Sequence, residues 1–230
     1  MARTVQLEPA YLLAVRPYRD TSLLLEAFTA AHGRVGLVAR GVRGPKSRLR
    51  GLLQPFAPLL LSWRSAGELG TLSGAEAAGP AVALHGERVF HGWYVNELVL
   101  SLLQRHDPHP ALYAVYATLL PQLAGDAAEA EIALRIFEKR LLADIGYGLP
   151  LPAAPDAACH YRYDAEFGFE PAEDGYSGAS LIALRDERFD DTAARGDARR
   201  LLRDAIRRQL GGRELKTAAL LRQMRAASGG

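Results

Sequence analysis

Cysteine is nearly absent: Cys159 is the only one in 230 residues. A lone thiol excludes an intramolecular disulfide and a four-thiolate metal site, and it suits a reducing cytosol. Long apolar runs are missing too. No segment approaches the roughly 20 consecutive apolar residues that a membrane-crossing helix needs. The opening MARTVQLEPAYLL has no apolar run of the length a secretion signal requires. There is no internal repeat and no low-complexity tract. The rest of the composition is that of a folded protein, with 49% hydrophobic and 23% charged residues. These features predict a soluble, cytoplasmic protein without a membrane partner, long enough for one large domain or two small ones.

Enzyme signatures are also scarce. The chain has no Gly-x-Ser-x-Gly elbow and no Gly-x-x-x-x-Gly-Lys-Ser/Thr loop. GVRGPKS places Gly, Lys and Ser close together, but at the wrong spacing for such a loop. His106, Asp107 and His109 in HDPHP (106–110) would hold a metal only with a fourth group from elsewhere, and the same cluster suits a polar turn between helices. Cys159-His160 has no matching ligand pair, and nothing in sequence near Cys159 lowers a thiol pKa. No catalytic residue, cofactor or metal is expected. A metal-dependent hydrolase built on HDPHP remains as a minor reading.

One stretch has no acid at all. RVGLVARGVRGPKSRLR (34–50) carries Arg34, Arg40, Arg43, Lys46, Arg48 and Arg50, within a chain of formal net charge +2. The nearest acids, Glu8, Asp20 and Glu26, are too few to balance six cations. A glycine-spaced cationic loop can lie close against a polyanion backbone, where each neutralised phosphate releases counterions. Arginine's planar fork also stacks on bases. The alternative is a solvated loop whose charges pair with acids elsewhere in the fold.

The first eighty residues have strand periodicity. AYLLAVR (10–16), SLLLEAF (22–28), RVGLVAR (34–40), PLLLSWR (58–64) and ELGTLSGAE (68–76) alternate between turn signals. Five short strands in this span predict a small closed barrel. In the third, Val35, Leu37 and Ala39 share one face, and Arg34, Val38 and Arg40 the other. Tyr11, Tyr18, Phe28, Phe56 and Trp63 lie in the same region; they are either base-stacking platforms or ordinary core, and Tyr18 in its polar turn is the one expected to be exposed.

Beyond a boundary near Gly79-Pro80 the period becomes helical. ERVFHGWYVNELVLSLLQR (87–105) places Phe90, Trp93, Tyr94, Leu98 and Leu102 on an apolar stripe. Further helices are predicted at 111–125, 130–147 and 198–210, with a last turn or two at 217–224. A hairpin insert is predicted in CHYRYDAEFGFEP (159–171). The segment from 195 to 225 holds ten Lys or Arg against three acids. Most of these cations fit a solvated helix face. Arg213 and Lys216 in LGGRELK differ, because they precede a helix start whose free N–H groups favour anions.

Taken together, several segments resemble the bacterial RecO family of DNA repair proteins. They are RPYRDTSLLLEAFTAAHGRVGLVARGVR (16–43), SRLRGLLQPFAPLLLSW (47–63), GELGTLSGAE (67–76), YVNELVLSLL (94–103), ALRIFEKRLLADIGYGLPL (133–151), YRYDAEFGF (161–169) and LGGRELKTAALLRQ (210–223). The resemblance implies an α+β fold: an N-terminal five-stranded OB-fold barrel over residues 1–79, then an α-helical domain over 80–230 with the hairpin insert. It implies a recombination mediator of the RecF pathway, nucleoid-associated, that binds single- and double-stranded DNA and anneals complementary strands. The implied partners are the acidic C-terminal tail of single-stranded-DNA-binding protein (SSB), and RecR, with which such proteins load RecA onto SSB-coated DNA. On this basis Arg34, Arg40, Arg43, Lys46, Arg48 and Arg50 are carried over as DNA contacts, with Arg213 and Lys216 as weaker ones. Arg135, beside Ile136 and Phe137, is the candidate cation for the SSB tail, or else a surface arginine on a core helix. Some members carry a four-cysteine zinc site in the hairpin region. Here only Cys159 remains, so the hairpin aromatics would hold the insert by packing alone. The other reading of the barrel is an RNA-binding or ribosome-associated module.

Overall fold

In a computed structural model, the structure describes residues 3–44, 47, 49–65 and 67–228. Alternation in the N-terminal segments produces five strands: β1 (Arg3–Tyr18), β2 (Ser22–Thr29), β3 (Gly33–Ala39), β4 (Pro58–Ser65) and β5 (Leu69–Ala77). They close into a barrel in the order β1-β2-β3-β5-β4, with β4 returning to β1. Every pairing is antiparallel except β3 with β5. This is the five-stranded OB-fold connectivity. The interior is filled by one inward residue set, including Ala10, Leu12, Leu25, Ala27, Val35, Leu37, Leu59, Leu61 and Trp63. The first strand begins seven residues before the segment that alternation marks out. Its register shifts between Leu12 and Ala14 against β2, and between Val5 and Glu8 against β4. Such bulges let one long strand bend enough to pair on both edges.

Six helices and a small sheet follow. They are α1 (Glu87–Leu102), α2 (Pro110–Leu123), α3 (Ala127–Asp144), β6 (His160–Asp164), β7 (Gly168–Ala172), β8 (Tyr176–Ser177), α4 (Gly178–Asp186), α5 (Thr192–Gln209) and α6 (Lys216–Ser228). The chain divides into two compact units. One holds the barrel, α1, α2 and, from Leu215 onward, α6; the other is Gly125–Glu214.

In the first unit, α1 buries Leu98 as its hydrophobic stripe predicts, but the buried face is rotated away from Trp93. Gly92, Val95, Asn96, Leu98 and Val99 are buried, whereas Trp93 is 42% exposed. Two contacts account for this rotation. A Cβ at position 92 would lie 2.7 Å from the Phe56 ring, so only glycine admits that approach. Asn96 tolerates burial because both ends of its amide are bonded: its Nδ2 donates to the Leu13 carbonyl at 3.0 Å, and its Oδ1 accepts from the Tyr116 hydroxyl at 2.6 Å. Tyr11 and Phe28, paired across β1 and β2, pack against Tyr113 and Tyr116 of α2 with ring centroids 5.2–5.8 Å apart.

In the second unit the hairpin gains a third strand, in the order β7-β6-β8. Aromatic packing contributes, with Tyr163 and Phe169 centroids 4.8 Å apart. Packing is not alone, however. The Asp156 N–H donates to the Tyr161 hydroxyl at 2.8 Å, and the Gly178 N–H to the Cys159 carbonyl at 2.8 Å. Arg208 and Arg200 lie over the Tyr163 and Tyr176 rings, at 5.0 and 5.5 Å from their centroids. Helix α5 is amphipathic, burying Ala194, Ala198, Leu201, Leu202, Ala205 and Ile206.

Candidate nucleic-acid interface

The cationic stretch leaves β3 at Ala39 and crosses to β4 through a long loop. Val42 and Leu53, 1% and 3% exposed, pin that loop into the barrel core at both ends. Gly41, at φ 69°, turns the chain into it. The Arg43 N–H donates to the Thr21 carbonyl at 2.9 Å, and its Nη1 donates to the Arg19 carbonyl at 3.2 Å. The loop is thereby held against the β1–β2 turn, which contains Tyr18, Arg19 and Asp20. Strand register completes the cluster. Arg16 lies opposite Leu24, and Leu24 opposite Val38, so these three form one row across the outer surface. Arg40, two residues beyond Val38, continues the β3 face.

One end of the barrel therefore gathers Arg16, Arg19, Arg40 and Arg43, all exposed. Among the described residues none of them has an ion pair. Asp20 is the one acid in the turn. The Arg19 guanidinium sits 5.2 Å from the centroid of the half-buried Tyr18 ring. Tyr11, Phe28, Phe56 and Trp63 are buried, so Tyr18 alone of the five barrel aromatics presents a face beside the cations. Arg16 and Arg19 do not belong to the acid-free stretch. Their membership comes from strand register, which a linear charge count does not see. Arg50 is exposed on the same loop, and Lys46 and Arg48 lie outside the described residues.

Arg34 takes another course. It shares the outer face of β3 with Arg40, as alternation predicts, but its side chain is only 16% exposed. Its Nη1 donates to the Leu100 carbonyl at the end of α1, and its Nε lies 3.8 Å from Glu26. Arg105, just past α1, bonds the same Glu26 carboxylate. The His106 N–H donates to the Arg34 carbonyl at 2.9 Å. Burial lowers the Arg34 pKa; Glu26 opposes this and Arg105 reinforces it. Arg34 is thus a brace between β3 and the α1–α2 connection, which lies against this end of β3. It still lines a shallow pocket of about 200 Å³ with Arg16, Ala14, Leu24, Glu26 and Leu100.

At the start of α6 the anion site is already filled from within the chain. Glu97 of α1 accepts from the Lys216 N–H at 2.8 Å, the Thr217 N–H at 2.9 Å and the Thr217 hydroxyl at 2.6 Å. The side chains of Arg213 and Lys216 remain exposed. Replacing Glu97 with Ala removes this cap, which is expected to cost about 1–2 kcal/mol. Amide exchange in α6 should then accelerate while that of the barrel core does not; uniform acceleration would show that Glu97 does more than cap this helix.

Arg135 is buried on α3, 7% exposed, with its Nη2 donating to Glu138 at 2.8 Å. HDPHP forms the turn between α1 and α2, where His109 Nε2 lies 3.4 Å from Asp107. Among the described residues no three His, Cys, Asp or Glu side chains could hold one metal ion. Cys159 is exposed, and the neighbouring Asp156 carboxylate pushes its thiol pKa up, which disfavours a reactive thiolate. No helix of the described residues is long and apolar enough to cross a membrane.

Comparison with known proteins agrees with this geometry. The model for the recombination protein O N-terminal domain matches residues 1–81, and that for the recombination protein O C-terminal domain matches 84–219. A DNA repair protein RecO from Methylococcus capsulatus is 46% identical over 229 residues, covering 95% of this chain and 93% of its own. One from Nitrosococcus oceani is 46% identical over 233 residues, covering 96% and 94%. One from Coxiella burnetii is 43% identical over 234 residues, covering 96% and 100%. With both domain models matched in order and such relatives aligned end to end, the chain belongs to the recombination protein O family.

Proposed function

We propose that this protein acts in DNA repair and recombination as a mediator without a covalent step of its own. It binds single- and double-stranded DNA on the barrel, anneals complementary strands, and with RecR helps load RecA onto SSB-coated DNA in the cytoplasm, at the nucleoid. The observation that carries this reading is the cluster of Arg16, Arg19, Arg40 and Arg43 beside Tyr18 at one end of an OB barrel. Such barrels combine a basic groove that tracks a backbone with aromatic faces that stack bases. Annealing requires two polyanions to approach, and a concentrated positive surface offsets their repulsion. Family membership supplies the DNA repair context.

Within this reading Arg40, Arg43 and Arg50 remain proposed DNA contacts with Lys46 and Arg48, and Arg16 and Arg19 join them. Arg34 contributes through the shallow pocket and its brace. Arg213 and Lys216 are secondary contacts. The SSB tail is the proposed partner of the helical domain; Arg135, the candidate cation for it, is buried and its charge is already offset by Glu138.

A fluorescent peptide with the acidic SSB tail sequence should bind the protein at micromolar concentration and be displaced by salt. The same protein should anneal complementary strands that are coated with SSB. If the peptide does not bind and annealing fails on coated DNA but succeeds on RNA, the mediator reading is wrong and the RNA-binding alternative stands.

A further inference from the structure

We propose that α5 carries a second phosphodiester-backbone contact, made by Arg199, Arg203 and Arg207, in the unit that does not contain the barrel. This proposal rests on the reading that nucleic acid is the ligand. Helix α5 has six exposed or half-buried arginines, and they sort into two groups. In the first group every cation is engaged. Arg195 donates to the Phe189 carbonyl at 2.9 Å and lies 3.5 Å from Glu131. Arg200 bonds Asp197 and covers the Tyr176 ring. Arg208 covers the Tyr163 ring and faces Asp164. Asp204, four residues from both Arg200 and Arg208, adds its charge to that side.

The second group is unengaged, although Asp204 also lies one turn from Arg207. Arg199, Arg203 and Arg207 are exposed, and among the described residues none makes an ion pair, hydrogen bond or ring contact. Their spacing of four residues stacks them on one side of the helix, where like charges repel. A rise of about 1.5 Å per residue makes the column about 12 Å long. At about 3.4 Å of duplex axis per phosphate in one strand, this spans three to four phosphates. Gly196 lies one turn before Arg199 and Arg200, in the helix interior, exposed, with no atom within 4 Å of where its Cβ would be. Packing gives no reason for a residue that weakens a helix, whereas close approach of a ligand backbone does. An acidic peptide or a membrane would require an apolar anchor beside the charge, and α5 exposes no large hydrophobic side chain.

The test uses the full chain in four forms: wild type, R16Q/R19Q/R40Q/R43Q in the barrel, R199Q/R203Q/R207Q in α5, and all seven together. Binding of a single-stranded 30-mer is followed by anisotropy across a salt series. The barrel variant should retain residual binding, and adding the α5 changes should lower its log–log salt slope by about 2, from three phosphates at about 0.7 each. Weakened but residual binding in the barrel variant supports both sites, whereas complete loss of its binding overturns the α5 contact and leaves the barrel reading standing. If the seven-fold variant binds as the barrel variant does, the α5 contact is refuted. Binding of poly-glutamate but no oligonucleotide by the barrel variant would also refute it, by reassigning the column to an acidic protein. The α5 variant should unfold no earlier than wild type, because the removed groups have no partners and their repulsion is relieved; an earlier unfolding midpoint would show that the arginines are structural and overturn the proposal.

Discussion

Neutralising Arg16, Arg19, Arg40 and Arg43 together with glutamine will flatten the salt dependence of duplex DNA binding by about 3.6 log units per log unit of salt, if each arginine neutralises one phosphate at about 0.9. The affinity at low salt should fall by two orders of magnitude or more, since electrostatics supplies most sequence-independent binding. The effect should exceed that of an equal number of changes elsewhere, because among the described residues these four guanidiniums have no ion pair to compensate them. The same feature means that removing them leaves no buried acid stranded, so unfolding midpoints should hardly change. R34Q is the informative contrast. It strands the half-buried Glu26 against Arg105 alone and removes the bond to Leu100, so it should lower stability as well as any contribution to binding. An unchanged slope in the four-fold variant would sink the assignment of this barrel end.

The second large effect concerns Asn96. An Asn96→Leu variant is nearly matched in volume but removes the bonds to the Leu13 carbonyl and the Tyr116 hydroxyl in a buried interface. Burial pushes the Tyr116 hydroxyl far above its ordinary pKa, so it stays protonated and continues to need an acceptor. At about 1–3 kcal/mol for each stranded group, the expected cost is about 3–4 kcal/mol, or a fall of about 6–12 °C in unfolding midpoint. Tyr116→Phe strands only the Asn96 Oδ1 and should cost about half as much. The loss should be concentrated where α1 meets the barrel, read as faster amide exchange in β1 and α1 while α3 and α5 keep theirs. A destabilisation below about 1 kcal/mol would mean that water or a shifted side chain replaces the lost partner.

Much of the barrel was legible because alternation and turn residues are local. The inward set of β3, Val35, Leu37 and Ala39, follows directly from period two, and so does the outward placement of Arg40. What period two cannot convey is which outward residues another element later covers. Arg34 and Arg40 read alike in sequence, and they differ because the α1–α2 connection lies over one of them. Helix α1 buries only part of its hydrophobic stripe for a related reason. Hydropathy favours Phe90, Trp93 and Tyr94, but the buried face is chosen by a glycine that admits Phe56 and an asparagine with two remote partners. Arg16 and Arg19 entered the candidate site through the β1–β2–β3 register, and α4 is so short that its period carries little signal. The arginines of α5 were visible, but the partners that separate engaged from unengaged ones lie on α3, the hairpin and the segment before α5.

The bond between Glu97 and the first turn of α6 joins residues 119 and 120 positions apart. Everything from Gly125 to Glu214 is therefore a parenthesis in the chain, opened and closed by the same unit. During synthesis the barrel, α1 and α2 emerge first, yet their last helix is made only after the whole intervening unit. The first unit thus waits, with the Glu97 carboxylate not yet capping α6 and the surface that α6 will cover open, until the residues after Glu214 leave the ribosome. Loop closure across that span grows only slowly with its length, and a prefolded insert whose ends are held close would shorten it further. Order of emergence and order of completion are inverted in this protein: the unit begun first is the one finished last.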